Sequence, residues 1–388
     1  MNRIILFVCL SAALCATAAH AQLPSPPPHP MAGQCTAPSF VPGSSTAAVN
    51  PGYLATGDFN KDGRLDLAVA EGAPFFPGNS PDVRILLGDG RGGFSPSATF
   101  FALFPEFVLA EDLNRDGILD LAVANPGPDR ISVLLGDREG SFGPPNTLTA
   151  GLGAGAIVTG DFDRDGRLDL AVANKSSDFV SLLLGDGNGG FGPATNFTVG
   201  PVAGGAVSIV AVDFNRDGKL DLVTTTGDVG NVVVLLGTGA GGFSSTTSYF
   251  ATFPEYVATA DFNHDGKLDL VVANPGPDRV SLLLGDGEGS FSDPLSFVAG
   301  LQPRSIAVAD FNKDGRADLA VANASSDTIS ILQGTGTGSF SAPFDFPAVS
   351  GPLSVVAGDF NRDGRIDVAV AAVNTSTVFI LVNTCGMP

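Results

Sequence analysis

One nine-residue pattern, Asp-x-Asn-x-Asp-Gly-x-x-Asp, occurs seven times in this chain of 388 residues. The first copies supply Asp58, Asn60, Asp62 and Asp66, then Asp112, Asn114, Asp116 and Asp120. In the third, Asp163 stands in place of Asn, between Asp161 and Asp165, with Asp169 closing the run. The remaining sets are Asp213, Asn215, Asp217, Asp221; Asp261, Asn263, Asp265, Asp269; Asp310, Asn312, Asp314, Asp318; and Asp359, Asn361, Asp363, Asp367. Side-chain oxygens at positions 1, 3, 5 and 9 can converge on one cation, with the position 7 carbonyl as a further donor. Gly at position 6 permits the sharp turn that wraps such a loop. Ligands that are all oxygen, with no Cys or His, favour a hard cation. A flexible loop of six or seven donors suits Ca²⁺ better than Mg²⁺. Up to seven calcium ions are therefore expected, one per loop.

The loop admits two other readings. An EF-hand shares its opening but needs a bidentate Glu at position 12 and flanking helices. Position 12 of the first copy is Val69, inside the β-prone run Leu-Asp-Leu-Ala-Val-Ala. A metal-free Asp/Asn/Gly turn is the plainer alternative. Charge argues against it: three carboxylates in each loop plus Asp163 make 22, which would repel one another without a cation. The formal charge is −20, or −21 without Arg3, and seven divalent ions would bring it near −7. Such acidity, with a pI of about 4.2, also excludes a nucleic-acid partner.

The elements that must hold these loops can be read from their spacing. Successive copies begin 54, 49, 52, 48, 49 and 49 residues apart. In one unit, strands are expected at 256–260, 268–273 and 280–284, then a turn at 285–289 and a fourth strand starting near Phe291. Four antiparallel strands in about 49 residues make a propeller blade. Middle strands that are apolar on both faces, such as Val-Ser-Leu-Leu-Leu at 280–284, suit a sheet covered by neighbouring blades. A linear β-solenoid would use shorter repeats and polar caps. The fold expected is all-β, a seven-bladed β-propeller of four-stranded antiparallel blades over 35–388. The last unit lacks a fourth strand, and Ser39 to Val49 is a spare outer strand, so an N-terminal strand is expected to complete the last blade. That closure brings Cys35 near Cys385, and a disulfide between them is expected. Several segments also recur 149 residues apart, such as Phe-Ala-Leu-Phe-Pro-Glu-Phe (101–107) and Phe-Ala-Thr-Phe-Pro-Glu-Tyr (250–256). A three-blade block is thus read as duplicated.

Residues 1–21 read as a secretory signal: Arg3, an apolar run and a small-x-small site at Ala19-His20-Ala21. Residues 22–34 read as a Pro-rich linker. Export to the extracellular space or periplasm is expected, with no membrane span and a monomeric state.

The Asp-Phe-Asn-x-Asp-Gly-x-x-Asp loop, the following Leu-Asp-Leu-x-Val-Ala-Asn strand and the Leu-Leu-Gly-Asp-Gly-x-Gly-x-Phe hairpin resemble FG-GAP/VCBS-type repeats. These are related to the seven-bladed propeller of integrin alpha subunits. The resemblance covers about 50–388. It implies Ca²⁺ in the loop joining the first two strands of each blade, on one rim, and partners docking on the opposite rim. Unlike integrins, the chain is expected to carry no further domain, so adhesion does not follow from the resemblance.

Little points to catalysis. His29 lies in the Pro-rich linker and His264 at a non-ligand loop position, which leaves no His-based triad. No catalytic or cofactor-binding residue other than the calcium ligands is expected. The rim opposite the metal loops should carry Phe75, Phe76, Phe104, Glu106, Phe107, Arg130, Phe253, Glu255, Tyr256, Arg279 and Arg304. Aromatics with Arg can form a partner surface, and the same Phe-Pro-Glu segments could instead pack between blades. The function expected is a calcium-binding scaffold for an extracellular protein or glycan. A calcium-dependent lectin is the alternative and a polysaccharide-acting enzyme a third reading. The absence of Trp leaves few platforms for stacking on sugars.

Overall fold

The structure, a computed structural model, describes residues 35–72, 82–102, 104–200, 205–227 and 230–386. The leader, the Pro-rich linker, His29, Phe75 and Phe76 lie outside the described residues.

Among the described residues the chain forms 28 strands in seven antiparallel sheets of four. Strand β1 (Phe40–Ala47) comes first. Blade 1 is β2 (Pro51–Gly57), β3 (Asp66–Glu71), β4 (Asp82–Gly88) and β5 (Phe94–Phe101). Blade 2 is β6 (Phe107–Glu111), β7 (Asp120–Asn125), β8 (Arg130–Leu134) and β9 (Asn146–Thr149). Blade 3 is β10 (Ala154–Gly160), β11 (Asp169–Asn174), β12 (Phe179–Leu183) and β13 (Thr195–Thr198). Blade 4 is β14 (Ala206–Val212), β15 (Asp221–Thr226), β16 (Asn231–Gly237) and β17 (Phe243–Phe250). Blade 5 is β18 (Tyr256–Ala260), β19 (Asp269–Asn274), β20 (Arg279–Leu283) and β21 (Leu295–Val298). Blade 6 is β22 (Pro303–Ala309), β23 (Asp318–Asn323), β24 (Thr328–Leu332) and β25 (Phe344–Pro347). Blade 7 is β26 (Pro352–Gly358), β27 (Asp367–Ala372) and β28 (Thr377–Asn383), completed by β1 in the order β1-β28-β27-β26. The expected propeller and its closure are therefore present.

The second strands explain the stacking. Each reads like Asp-Leu-Ala-Val-Ala-Asn and is buried along its whole length. Small and aliphatic side chains on both faces let adjacent sheets approach closely. The resulting cores lie between blades: Ala68, Val83 and Ile85 of blade 1 pack with Val108, Leu121 and Val123 of blade 2. The first strands line the central axis with Leu54, Leu109, Ile157, Val257, Val308 and Val355 among others.

A second device joins blades at the metal-loop rim. The position 2 Phe of a loop meets the hairpin Phe of the next blade edge to face. Phe59 and Phe142 have centroids 5.8 Å apart, Phe214 and Phe291 5.5 Å, and Phe262 and Phe340 5.3 Å. Blade 7 has no hairpin to offer Phe311, and Phe40 of β1 takes that place at 5.9 Å.

The expected fourth strand near Phe291 is displaced. Phe291 makes only an isolated bridge with Gly285, and β21 begins at Leu295. Pro294 lies just before that strand and has no backbone donor for a ladder. Prolines likewise precede the four-residue outer strands of blades 2, 3 and 6, whereas those of blades 1, 4 and 7 run eight residues. Long outer strands in every third blade repeat the three-blade period read from the sequence. Disulfide closure is also present: Cys35 and Cys385 are bonded, their Cα atoms 5.7 Å apart, within the span a disulfide can bridge.

Candidate metal centres and the opposite rim

Each nine-residue loop joins the first strand of its blade to the second, so all seven lie on one rim. Position 6 glycines have φ of 78–83°. At Gly63, Gly117, Gly218 and Gly315 nothing lies within 4 Å of a notional Cβ. The glycine is thus required by backbone conformation and not by crowding.

The loop oxygens fall into two groups. In blade 1, Asp58 accepts the amides of Asp62 at 3.0 Å and Gly63 at 2.8 Å. Asn60 Oδ1 accepts the Asp62 amide at 3.1 Å, and Asp62 Oδ1 accepts that of Arg64 at 2.9 Å. Positions 1, 3 and 5 thereby face the loop interior. The position 9 carboxylates are different. Asp66, Asp120, Asp169, Asp221, Asp269, Asp318 and Asp367 are wholly buried. Asp66 accepts Phe59 N–H at 2.9 Å on one oxygen and Gly88 N–H at 2.8 Å on the other. The same pair of bonds recurs at Asp169, to Phe162 and Gly185, each at 2.8 Å. Position 9 therefore pins the loop to the end of the third strand, with only its remaining lone pairs left for an ion.

In blade 3, where Asp163 replaces the Asn of the other loops, three carboxylates gather. Ligand oxygens of Asp161, Asp163 and Asp169 lie within 4.8 Å of one another, the one such set of three acidic groups among the described residues. Asp161 Oδ1 is buried and has no hydrogen-bond partner. In blade 1 the equivalent oxygen accepts the position 5 amide. An orphaned anionic oxygen beside two more carboxylates matches a hard divalent ion. Position 7 cations pair with position 5, as Lys219 does with Asp217 at 2.8 Å and Arg365 with Asp363 at 3.0 Å. These pairs are partly exposed and contribute little.

Burial, reinforced by the neighbouring loop carboxylates, pushes Asp66, Asp120, Asp169, Asp221 and Asp269 up to about 6 and Asp367 to about 7. Asp318 is raised as well, for the same reasons. A carboxyl raised in the fold binds protons that the unfolded chain releases. Its contribution is complete below the unfolded value of 3.8 and is lost as pH rises through about 6 to 7. In EGTA the melting temperature should therefore rise as pH falls from 7 to 5. A cation favours the charged carboxylates, so in saturating calcium the trend should reverse. Parallel pH profiles in the two buffers would contradict this assignment.

Sequence reasoning passed over position 4. Lys61, Arg115, Arg164, Arg216, His264, Lys313 and Arg362 all adopt φ near 60°. That conformation sends Lys61 to the Gly117 carbonyl and Arg216 to the Gly266 carbonyl in the next blade. Their basic character was visible in the sequence, but their direction depends on the loop backbone. The hairpin Asp residues, by contrast, cap their own turns: Asp89 Oδ1 accepts the amides of Arg91 at 2.7 Å and Gly93 at 2.8 Å.

On the opposite rim the Phe-Pro-Glu segments divide: their acids pack between blades, and Phe104 and Phe253 stay outside. Glu106 is buried and pairs with Lys175 of the next blade, while Glu255 takes Arg304 of the next blade on both oxygens at 2.5 Å. At the mouth of the axial channel Tyr53 stacks on Tyr256 at 6.5 Å and tilts against Phe107 at 5.3 Å. Burial, with Glu255 and Glu106 nearby, holds the Tyr53 hydroxyl well above its usual range and so protonated. Phe104 and Phe253, however, stay about half exposed. Arg130 and Arg279 are exposed and make no ion pair among the described residues.

A family model described as FG-GAP-like repeat matches residues 112–172, 161–224, 215–272, 261–321 and 310–370. Among curated proteins no match is found. Solved structures of differing kinds share the fold at low identity. One is BBS1N in complex with ARL6DN, 12% identical, with a TM-score of 0.61 over 88% of this chain and 96% of that one. Another is the periplasmic gluconolactonase PpgL of Pseudomonas aeruginosa, 19% identical, with a TM-score of 0.60 over 83% and 88%. A third is an Agrocybe aegerita lectin described as recognising non-reducing terminal N-acetylglucosamine, 17% identical, with a TM-score of 0.54 over 83% and 86%. A protein solved in complex with another, a gluconolactonase and a lectin share this fold, so the likeness speaks for fold alone.

Proposed function

Because this chain belongs to the FG-GAP-like repeat family, we propose that it is an exported, calcium-stabilised β-propeller that acts as a non-catalytic binding scaffold for an extracellular partner. The observation that carries the reading is the blade 3 loop, where a buried carboxylate oxygen without a partner sits beside two further acidic groups. In every loop, positions 1, 3 and 5 would hold the ion, and position 9 would support them from beneath. Bound calcium would neutralise the acidic rim and tie the first strand of each blade to the second.

The disulfide supports export. The Cys35–Cys385 bond belongs to an oxidising compartment. No helix among the described residues is long and apolar enough to cross a membrane. The non-catalytic reading draws on the axial cavity, which among the described residues is lined mainly by aliphatic side chains, with Glu106 and Glu255 at its mouth paired with Lys175 and Arg304.

The test is affinity capture with the purified mature protein, from its native extracellular milieu and on a glycan array, each in calcium and in EGTA. Retention of a defined protein or glycan that is lost in EGTA is expected. Failure of both to yield a calcium-dependent ligand would oppose the scaffold reading. A hit confined to the array would favour the lectin alternative.

A further inference from the structure

The seven most exposed large apolar side chains among the described residues are Phe250, Leu152, Phe101, Phe253, Val298, Leu301 and Phe104, from 68% down to 49% exposed. All lie toward the rim opposite the acidic loops, at the ends of fourth strands or in the loops that follow them. Six of the seven form three pairs, 101 with 250, 104 with 253 and 152 with 301, each 149 residues apart.

Each set is organised around one loop. Phe104 packs toward Gly127 of the Pro-Gly-Pro turn in blade 2. Asp129 of that turn accepts the Ala150 and Gly153 amides, which places Leu152 on its other side. Arg130 follows directly. In blade 5 Phe253 packs toward Gly276, and Asp278 accepts the Ala299 and Gln302 amides that flank Leu301. Arg279 follows in turn. Phe104 and Phe253 hold φ of 57° and 49°, unfavourable for a bulky side chain.

The exposed Phe, Leu and Arg positions are identical in both blocks. Other exposed positions have diverged: Thr149 against Val298, and Arg115 against His264. Packing alone would hold the core and let the surface vary.

We infer that this rim carries two equivalent docking patches for one protein partner that presents two like segments, each an aromatic or aliphatic side chain beside a carboxylate. The inference rests on the scaffold reading above. An apolar patch beside an unpaired guanidinium is complementary to an apolar side chain beside an acid. Blades 2 and 5 lie three blades apart in a ring of seven, so the patches sit near opposite sides of the rim. A partner with paired segments engages both and gains by effective concentration. A second copy of this chain fits less well, because stacking patch on patch would set Arg against Arg.

The experiment selects a displayed random peptide library on the mature protein in calcium, then synthesises the enriched peptide as a single and as a linked tandem. Enriched sequences should combine an aromatic or Leu with Asp or Glu. Two single peptides should bind per chain, and the tandem should bind about a hundredfold tighter. Phe104→Ser with Leu152→Ser should leave one site and abolish the tandem gain, with the melting temperature unchanged. Arg130→Glu with Arg279→Glu should weaken both sites. A stoichiometry of one, or binding indifferent to these substitutions, would overturn the paired patches while leaving a scaffold that binds elsewhere. A dimer in light scattering that these variants disperse would assign the patches to self-association, and no enrichment at all would also overturn the inference. The scaffold reading itself is judged separately by capture from the native milieu.

Discussion

Stripping calcium from the mature protein with EGTA is expected to lower its melting temperature by roughly 25 °C. An ion that binds only the native state contributes about 2.7 kcal/mol at a hundredfold excess over its Kd. Seven similar sites would contribute about 19 kcal/mol if they fill independently. The ring of some 350 residues has an unfolding entropy near 0.7 kcal/mol per degree, at about 2.1 cal/mol/K per residue. That ratio sets the scale of the shift. Native mass spectrometry should find close to seven ions in calcium buffer, and close to six after Asp261→Ala with Asp265→Ala. A melt indifferent to EGTA, or a metal count near zero, would remove calcium from the account of this fold.

Cys35→Ser with Cys385→Ser, in saturating calcium, is expected to cost about 6 kcal/mol on the chain-entropy model, because the bond closes a loop of 350 residues. The melting temperature should fall by about 5–10 °C. The loss should be uneven. Blade 7 is the one sheet built from both ends of the described chain, and β1 is held to β28 by a ladder from Phe40–Asn383 to Ala47–Thr377. Amide exchange should accelerate in β1 and β28 before it does in blade 4. Uniform exchange, or a melt identical to wild type, would show that the ladder and Phe40 close the ring unaided. Peptide mapping without reductant should recover the Cys35–Cys385 linked pair.

The parts of the fold that depend on local pattern were legible. A period near 49, apolar middle strands and a spare outer segment sufficed for blade count, strand order and closure. Where the outer strand of blade 5 begins was misplaced because Phe291 reads as a strand residue, while Pro294 decides where the ladder can resume. In the loops, residue types and spacing identified the oxygens. Their division was hidden, since the roles of Asp58 and Asp66 differ only through burial and the third-strand amide at Gly88. The reach of Lys61 and Arg216 into the next blade follows from a left-handed backbone that no composition encodes. On the far rim, Glu106 and Phe104 are two residues apart yet one turns inward to Lys175 and the other outward to solvent. Only the neighbouring blade distinguishes them.

The use of β1 as the outer strand of blade 7 has a consequence in time. Ribosomal synthesis delivers β1 first among the described strands and its partner β28 last. Blades 1 to 6 can assemble in order as the chain emerges, each against its predecessor. Meanwhile β1 waits with both edges unpaired, and Phe40 has no Phe311 to meet until blade 6 has formed. A waiting strand of this kind is an open template for another chain. Its sequence, Phe-Val-Pro-Gly-Ser-Ser-Thr-Ala, carries Pro42 and Gly43 at the point where the ladder shifts register. Those two residues make a poor edge for strangers, so the segment that waits longest carries its own guard against pairing wrongly while it does.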